Sequence, residues 1–193
     1  MAGYQALAAA GLSIIALLNR RLGEVPAASN VTAYLASSED LKDIQSVFGD
    51  PKVHPVVSVF CYRITVDKPT RPGWSAVGHA DGIARIPLCM HLLVSAWAGD
   101  TGKELSLLGL AAQILESESI LAGPVLDPSG DWQPGDTVEI VPDDLALESM
   151  TEAFQALTTE YRLTLPYLAR VICIEGRYEP PAEPVATVAA GTG

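Results

Sequence analysis

The stretch Ile86-Pro-Leu-Cys-Met-His-Leu-Leu-Val-Ser-Ala-Trp-Ala98 decides the fold. Leu88, Met90, Leu92 and Val94 alternate with Pro87, Cys89, His91, Leu93 and Ser95. That period of two predicts a long strand with one firmly buried face. Pro87 has no amide hydrogen to donate, so it belongs near the strand's start or at an edge. Downstream, Asp100-Thr-Gly-Lys-Glu104 reads as a helix start, with Thr101 and Glu104 at the spacing of a capping box. Leu105, Leu108, Ala112 and Leu115 then form one stripe, and Leu107, Leu110, Ala111 and Ile114 widen it, so a mostly buried helix is expected. Gly123-Pro124 stops it.

Working outward, Thr137 to Val141 reads as a short strand and Leu168 to Ile174 as the last one. Between them Asp143-Asp144 places carboxylates at a helix N-terminus, where the dipole favours them, and Leu147, Met150, Phe154, Leu157 and Tyr161 mark that helix's inward face. Upstream, Val56 to Val66 is apolar on both alternating faces, the pattern of a central strand. Residues 67 to 82, with Pro69, Pro72, Gly73, Gly78 and Gly82, fit neither period and form a long connection. Ser38 to Ile44 suits a short helical turn with Ser37 or Ser38 as its cap, and Val31 to Leu35 is β-prone.

Before these, Met1 to Leu18 contains only Tyr4, Gln5 and Ser13 as polar residues and is followed by Arg20-Arg21. A secretion signal carries its positive charge ahead of the apolar run, and alanine and glycine are poorly driven into lipid. Leu7, Gly11, Ile14, Ile15, Leu18 and Leu22 recur at helical spacing, so an amphipathic helix packed on a sheet accounts for the run. The order α, β, β, β, α, β, α, β predicts a single α+β domain, residues 1–176, with a mixed, mainly antiparallel sheet and flanking helices. A flexible, Pro- and Ala-rich C-terminal tail, residues 177–193, follows.

Composition narrows the function. Of 193 residues, 49% are hydrophobic and 18% charged, which excludes a wholly disordered chain. Twelve Lys and Arg against 23 Asp and Glu leave a net charge of −11, which opposes phosphate binding and makes nucleic acid an unfavoured partner. Cys61, Cys89 and Cys173 lack the short spacings of zinc or redox motifs and read as reduced packing residues of a reducing, cytoplasmic compartment.

No cofactor or metal fingerprint emerges. Gly102-Lys103 lacks the preceding glycine and following hydroxyl of a phosphate loop. Asp127, Ser129 and Asp131 imitate a calcium loop, but Trp132 and Val138 stand where its glycine and glutamate belong. Cys89 and His91 share a strand face without a second ligand pair, the arrangement of a packed or hydrogen-bonded pair. Ser75 misses nucleophile-elbow spacing by one residue. An α+β hydrolase or transferase using Ser75 or Cys61 with His79 is therefore the alternative reading, and a membrane-attached adaptor using the N-terminal helix a third.

The segment from Ile86 to Ala98, followed by Lys103-Glu104-Leu-Ser-Leu-Leu-Gly-Leu110, resembles the strand-turn-helix signature of the tail-terminator (cap) proteins of contractile phage-tail-like injection systems. Trp132 with Asp136 to Pro142, and Tyr161-Arg162-Leu-Thr164-Leu-Pro-Tyr167 leading into Arg170 to Ile174, are similar to two further motifs of that family. His91 and Leu92 stand near where that family often has Tyr and Leu, and Thr164 replaces its Ser. The resemblance implies a non-enzymatic, homo-oligomeric ring, a hexamer, that ends the inner tube and ties the last sheath ring to it. It implies tube and sheath proteins as partners, no membrane, and residence in an assembled particle that the cell can release. Ring-making needs exposed edges. Arg71 and Trp74 in the long connection, and Tyr178, Glu179 and Pro180 in the tail, are the candidate interface residues, the tail as a strand donated to a neighbouring sheet.

Overall fold

A computed structural model describes residues 2–74, 83–156 and 162–176. Helix α1 (Ala6–Glu24) is followed by β1 (Thr32–Ala36), the short helices α2 (Ser38–Lys42) and α3 (Ile44–Phe48), β2 (Val56–Val66) and β3 (Arg85–Trp97). Then come α4 (Thr101–Ser117), β4 (Ile120–Ala122), β5 (Thr137–Pro142), α5 (Leu147–Ala156) and β6 (Thr164–Glu175). The strands form one sheet in the order β1-β2-β3-β6-β5-β4. Only β1 and β2 pair in parallel; the other neighbours are antiparallel. This is the expected mixed, mainly antiparallel α+β architecture.

Strand β3 occupies the middle of the sheet because its sequence can be buried twice over. Met90, Leu92, Val94 and Ala96 point into the main core, shared with Ile14, Leu17, Leu18 and Leu22 of α1 and Leu107, Leu108, Ala111 and Leu115 of α4. On the opposite face Leu93 packs with Met150 and Phe154 of α5, while Trp97 joins Ala36, Leu41 and Ile44 around α2 and α3. Fully burying each large side chain contributes about 1.5–3 kcal/mol. Cys89 is buried, Cys61 and Cys173 are half-buried, and all three are free.

Helix α1 has the length and hydropathy of a membrane span, yet Ile14, Leu18 and Leu22 are 0% exposed against the sheet. Its packing is thus that of a core helix. Asn19 of α1 also closes an edge: its amide donates to the Ala33 carbonyl at 3.0 Å and accepts from the Ala33 amide at 2.8 Å. Those are the backbone groups of edge strand β1 that would otherwise be open to another strand.

Several local expectations need correction. The cap of α4 is Asp100, which accepts from the Lys103 amide at 2.9 Å, and not Thr101. Glu104 faces elsewhere, accepting from the Ala98 amide at 3.3 Å and from Arg162 at 2.8 Å. The α4 helix is also less buried than its composition suggests: Leu105 is 54% exposed. The single turn expected at Ser38–Ile44 is two helices. Ser37 and Asp40 form the capping box of the first, and Asp43 caps the second by accepting from the Ser46 amide. Strand β4 adds an element to the expected order, and β6 begins four residues before Leu168.

At the C-terminal end of β3, three separated stretches meet. The Arg162 guanidinium lies 3.9 Å over the Trp97 ring while pairing with Glu104, and the Trp97 indole donates to the Ser58 hydroxyl at 2.8 Å. Ser95 and Thr164 hydroxyls share a hydrogen bond at 2.9 Å. The half-buried Glu104 and Arg162 thereby clamp α4 and β6 to β3, through a charge-assisted bond stronger than a neutral one.

Two outcomes follow for stability. Asp100→Ala should cost about 1 kcal/mol in urea unfolding and Thr101→Ala only a few tenths, by the worth of an N-cap; equal losses would contradict the assigned cap. Glu104→Ala should cost about 1.5–3 kcal/mol, the worth of bonds to a charged group. Arg162→Ala added to it should cost little more, since the pair acts as a unit.

Candidate functional site

Among the described residues, the sheet face opposite α1 and α4 is only partly covered. Helices α2, α3 and α5 pack over Phe60, Tyr62, Leu93 and Trp97. Farther along, a groove of about 370 Å³ opens over β5 and β6. Trp74 and Thr70 approach it from the β2–β3 connection, Ile120 from β4, Trp132 from the β4–β5 connection, and Arg170 and Cys173 from β6.

Local chemistry builds both tryptophan walls. Asp67 donates its amide to the Pro87 carbonyl at 2.9 Å and accepts the Thr70 hydroxyl at 2.6 Å. That turn leads into a 3-10 turn at Arg71–Trp74, and the Arg71 guanidinium reaches the Arg85 carbonyl at 3.4 Å. Arg71 is exposed and Trp74 half-buried. On the other wall, the Trp132 indole donates to the Asp127 carbonyl at 2.7 Å. It lies so close to Gly130 that a Cβ there would come 2.4 Å from the ring, a position only glycine can fill. Asp127 accepts from the Ser129 amide and hydroxyl, and those bonds hold its carboxyl below the usual range. Asp127 and Ser129 thus shape the turn that precedes Trp132.

Of the sequence-predicted interface residues, Trp74 lines this groove and Arg71 stands in the same turn. Tyr178, Glu179 and Pro180 lie outside the described residues, as do Ser75 and His79. Cys61, the other proposed nucleophile, is half-buried on β2 with its thiol 3.6 Å from the Arg63 carbonyl. Burial pushes its thiol up, away from the reactive thiolate. Among the described residues no group of three His, Cys, Asp or Glu side chains is placed to hold a metal.

Sequence reasoning missed one polar cluster on the same face. His91 Nε2 meets the Thr65 hydroxyl at 2.9 Å and the Arg63 guanidinium at 3.4 Å, and Nδ1 lies 3.3 Å from Asp143. The guanidinium can only donate, so Nε2 accepts and Nδ1 carries the proton toward Asp143. The bulge between Cys61 and Arg63 puts Tyr62 edge-on to the imidazole at 5.8 Å. The cluster joins β2, β3 and the start of the α5 segment. Asp143, read from sequence as a helix-terminal carboxylate, is here the partner of a buried histidine.

The chain has relatives of the same architecture. A terminator of sheath and tube from an extracellular contractile injection system, solved in its extended state, superposes with a TM-score of 0.58 at 19% identity, covering 94% of this chain and 61% of that one. The tube-terminating cap of the anti-feeding prophage superposes at 0.50 with 18% identity, covering 90% and 57%. This chain thus spans about three fifths of the length of the terminators it matches. No curated protein matches it. The family profile described as the Pvc16 N-terminal domain matches residues 11–187, from within α1 through β6 and beyond, and the chain belongs to that family.

Proposed function

We propose that this chain is the terminator of a contractile injection particle: it stops growth of the inner tube and holds the last sheath ring, and it does so without covalent chemistry. The observation that carries the reading is family membership across residues 11–187, joined to the fold shared with two tube terminators over at least nine tenths of the chain. The chemistry agrees, since the one candidate nucleophile described, Cys61, is packed and unactivated.

In this reading the working form is a homo-oligomeric ring, sixfold, with tube and sheath proteins as partners, inside a particle assembled in the cytoplasm. A closed ring requires two different surfaces on each protomer that meet by rotation. The sheet supplies two unlike edges, β1, partly sealed by Asn19, and β4, whose Ile120 is 62% exposed. Arg71 and Trp74 contribute to the neighbouring surface, and the segment after Gly176 reaches another subunit as a donated strand.

Negative-stain images of the purified chain, alone or with tube protein, should show rings. A monomer that ignores tube and sheath at all concentrations would refute the reading. Removing residues 177–193 should leave the circular dichroism spectrum unchanged and weaken capture of sheath; undiminished capture would refute strand donation.

A further inference from the structure

We infer that the open edge of β2 beyond Phe60 pairs with the β4 edge of a second copy of this chain, so that the sheet continues from one protomer into the next. The inference rests on the ring reading and names the two surfaces that meet in it.

The β1–β2 pairing ends at Ala36 and Phe60, while β2 runs on to Val66 with β3 on its other side. Among the described residues no strand lies against this distal stretch, whereas the Ala33 backbone of β1 is already engaged by Asn19. The open part of that side of the sheet is therefore β2. Ile64 and Val66 pair with Met90 and Leu88, which puts them on the core side of the sheet, where they are 48% and 38% exposed. Arg63 and Lys68, on the strand and just after it, are exposed as well, Arg63 while one of its nitrogens lies 3.4 Å from His91. At the far end of the sheet β4 pairs only with β5, and Ile120 and Ala122 are exposed on either side of buried Leu121. A strand open on one side presents backbone donors and acceptors that another strand satisfies.

Charge selects which edges meet. Around the distal part of β2, Arg63, Lys68, Arg71 and Arg85 outnumber Asp67 and Asp81 in a chain whose net charge is −11. Between Lys103 and Arg162, by contrast, the sequence has no Lys or Arg. Within that acidic half, Glu116 in the last turn of α4, just ahead of β4, is exposed, and so is Asp131 in the connection that follows β4. Two β2 edges brought together would set Arg63 and Lys68 against their own copies, and two β4 edges would oppose carboxylates. Like charges facing each other across a strand pair are destabilising. Unlike edges bring opposite charges together, with Ile64 and Val66 on one and Ile120 on the other to bury. A contact between two different surfaces of identical chains is also the kind that closes into a ring by rotation.

The test uses the full chain. Ile64→Glu places a carboxylate on the edge that would face the acidic half of a neighbour, and Ile120→Lys places a cation on the edge that would face the basic one. Both sites are exposed, and circular dichroism should match the unaltered chain. In light scattering each variant alone should stay monomeric, and their equal mixture should stop at dimers, because one intact edge of each kind remains. Rings from either variant alone, or monomers in the mixture, would overturn the pairing. In rings of the unaltered chain, amide hydrogen exchange in peptides covering residues 61–67 and 119–123 should slow at least tenfold against the dilute protomer. Rings with unchanged exchange there would overturn the pairing and leave the capping role standing, whereas a chain that forms no ring even with tube protein overturns both.

Discussion

Strand β3 carries the structure because it is hydrogen-bonded to β2 on one side and β6 on the other while both its faces are packed. A strand in that position cannot expose a polar residue without giving it a partner. Its polar members show the consequence. His91 reaches Thr65 and Asp143, Ser95 reaches Thr164, and the indole of Trp97 reaches Ser58. Those bonds tie β3 to β2 at both ends, to β6 and to Asp143 just beyond β5, so the strand's few polar side chains fix register where its apolar ones supply cohesion. The same logic explains why Arg162 and Glu104, far apart in sequence, meet over Trp97.

The two faces of the sheet do different work. Under α1 and α4 the core is continuous and apolar. The other face is patchwork, with two small clusters beneath short helices, a buried polar group around His91, and the tryptophan-walled groove over β5 and β6. The proposed capping role would use such a face, since an interface requires aromatic groups and pockets that a sealed core withholds.

Long periodic elements were legible from sequence. The alternation in Ile86–Ala98 predicts β3, and the helical recurrence of Ile14, Leu18 and Leu22 predicts α1 as a packed helix. Short elements were not. Three residues, Ile120–Ala122, cannot show a period, and Gly123-Pro124 masks them as a helix stop. Pro166 hides the start of β6, although its carbonyl accepts the Asp143 amide at 3.0 Å and it pairs with Leu93. The α4 cap went to Asp100 because Glu104 is recruited by Ala98 and Arg162, contacts that no local pattern encodes. For the site, Trp74 was identifiable as an isolated aromatic in a long loop. Its pairing with Trp132 across the groove was not, because it depends on a connection packing over β5. The crowding of Trp132 on Gly130 was the nearest local signal.

Tube length in assembled particles tests the account most directly. Electron micrographs of particles made with and without this chain, all other components present, yield two length distributions. If the chain terminates the tube, the complete set gives one narrow length, and omission gives tubes of broad and greater length with sheath lost from the end. Equal lengths with sheath retained in both would contradict it.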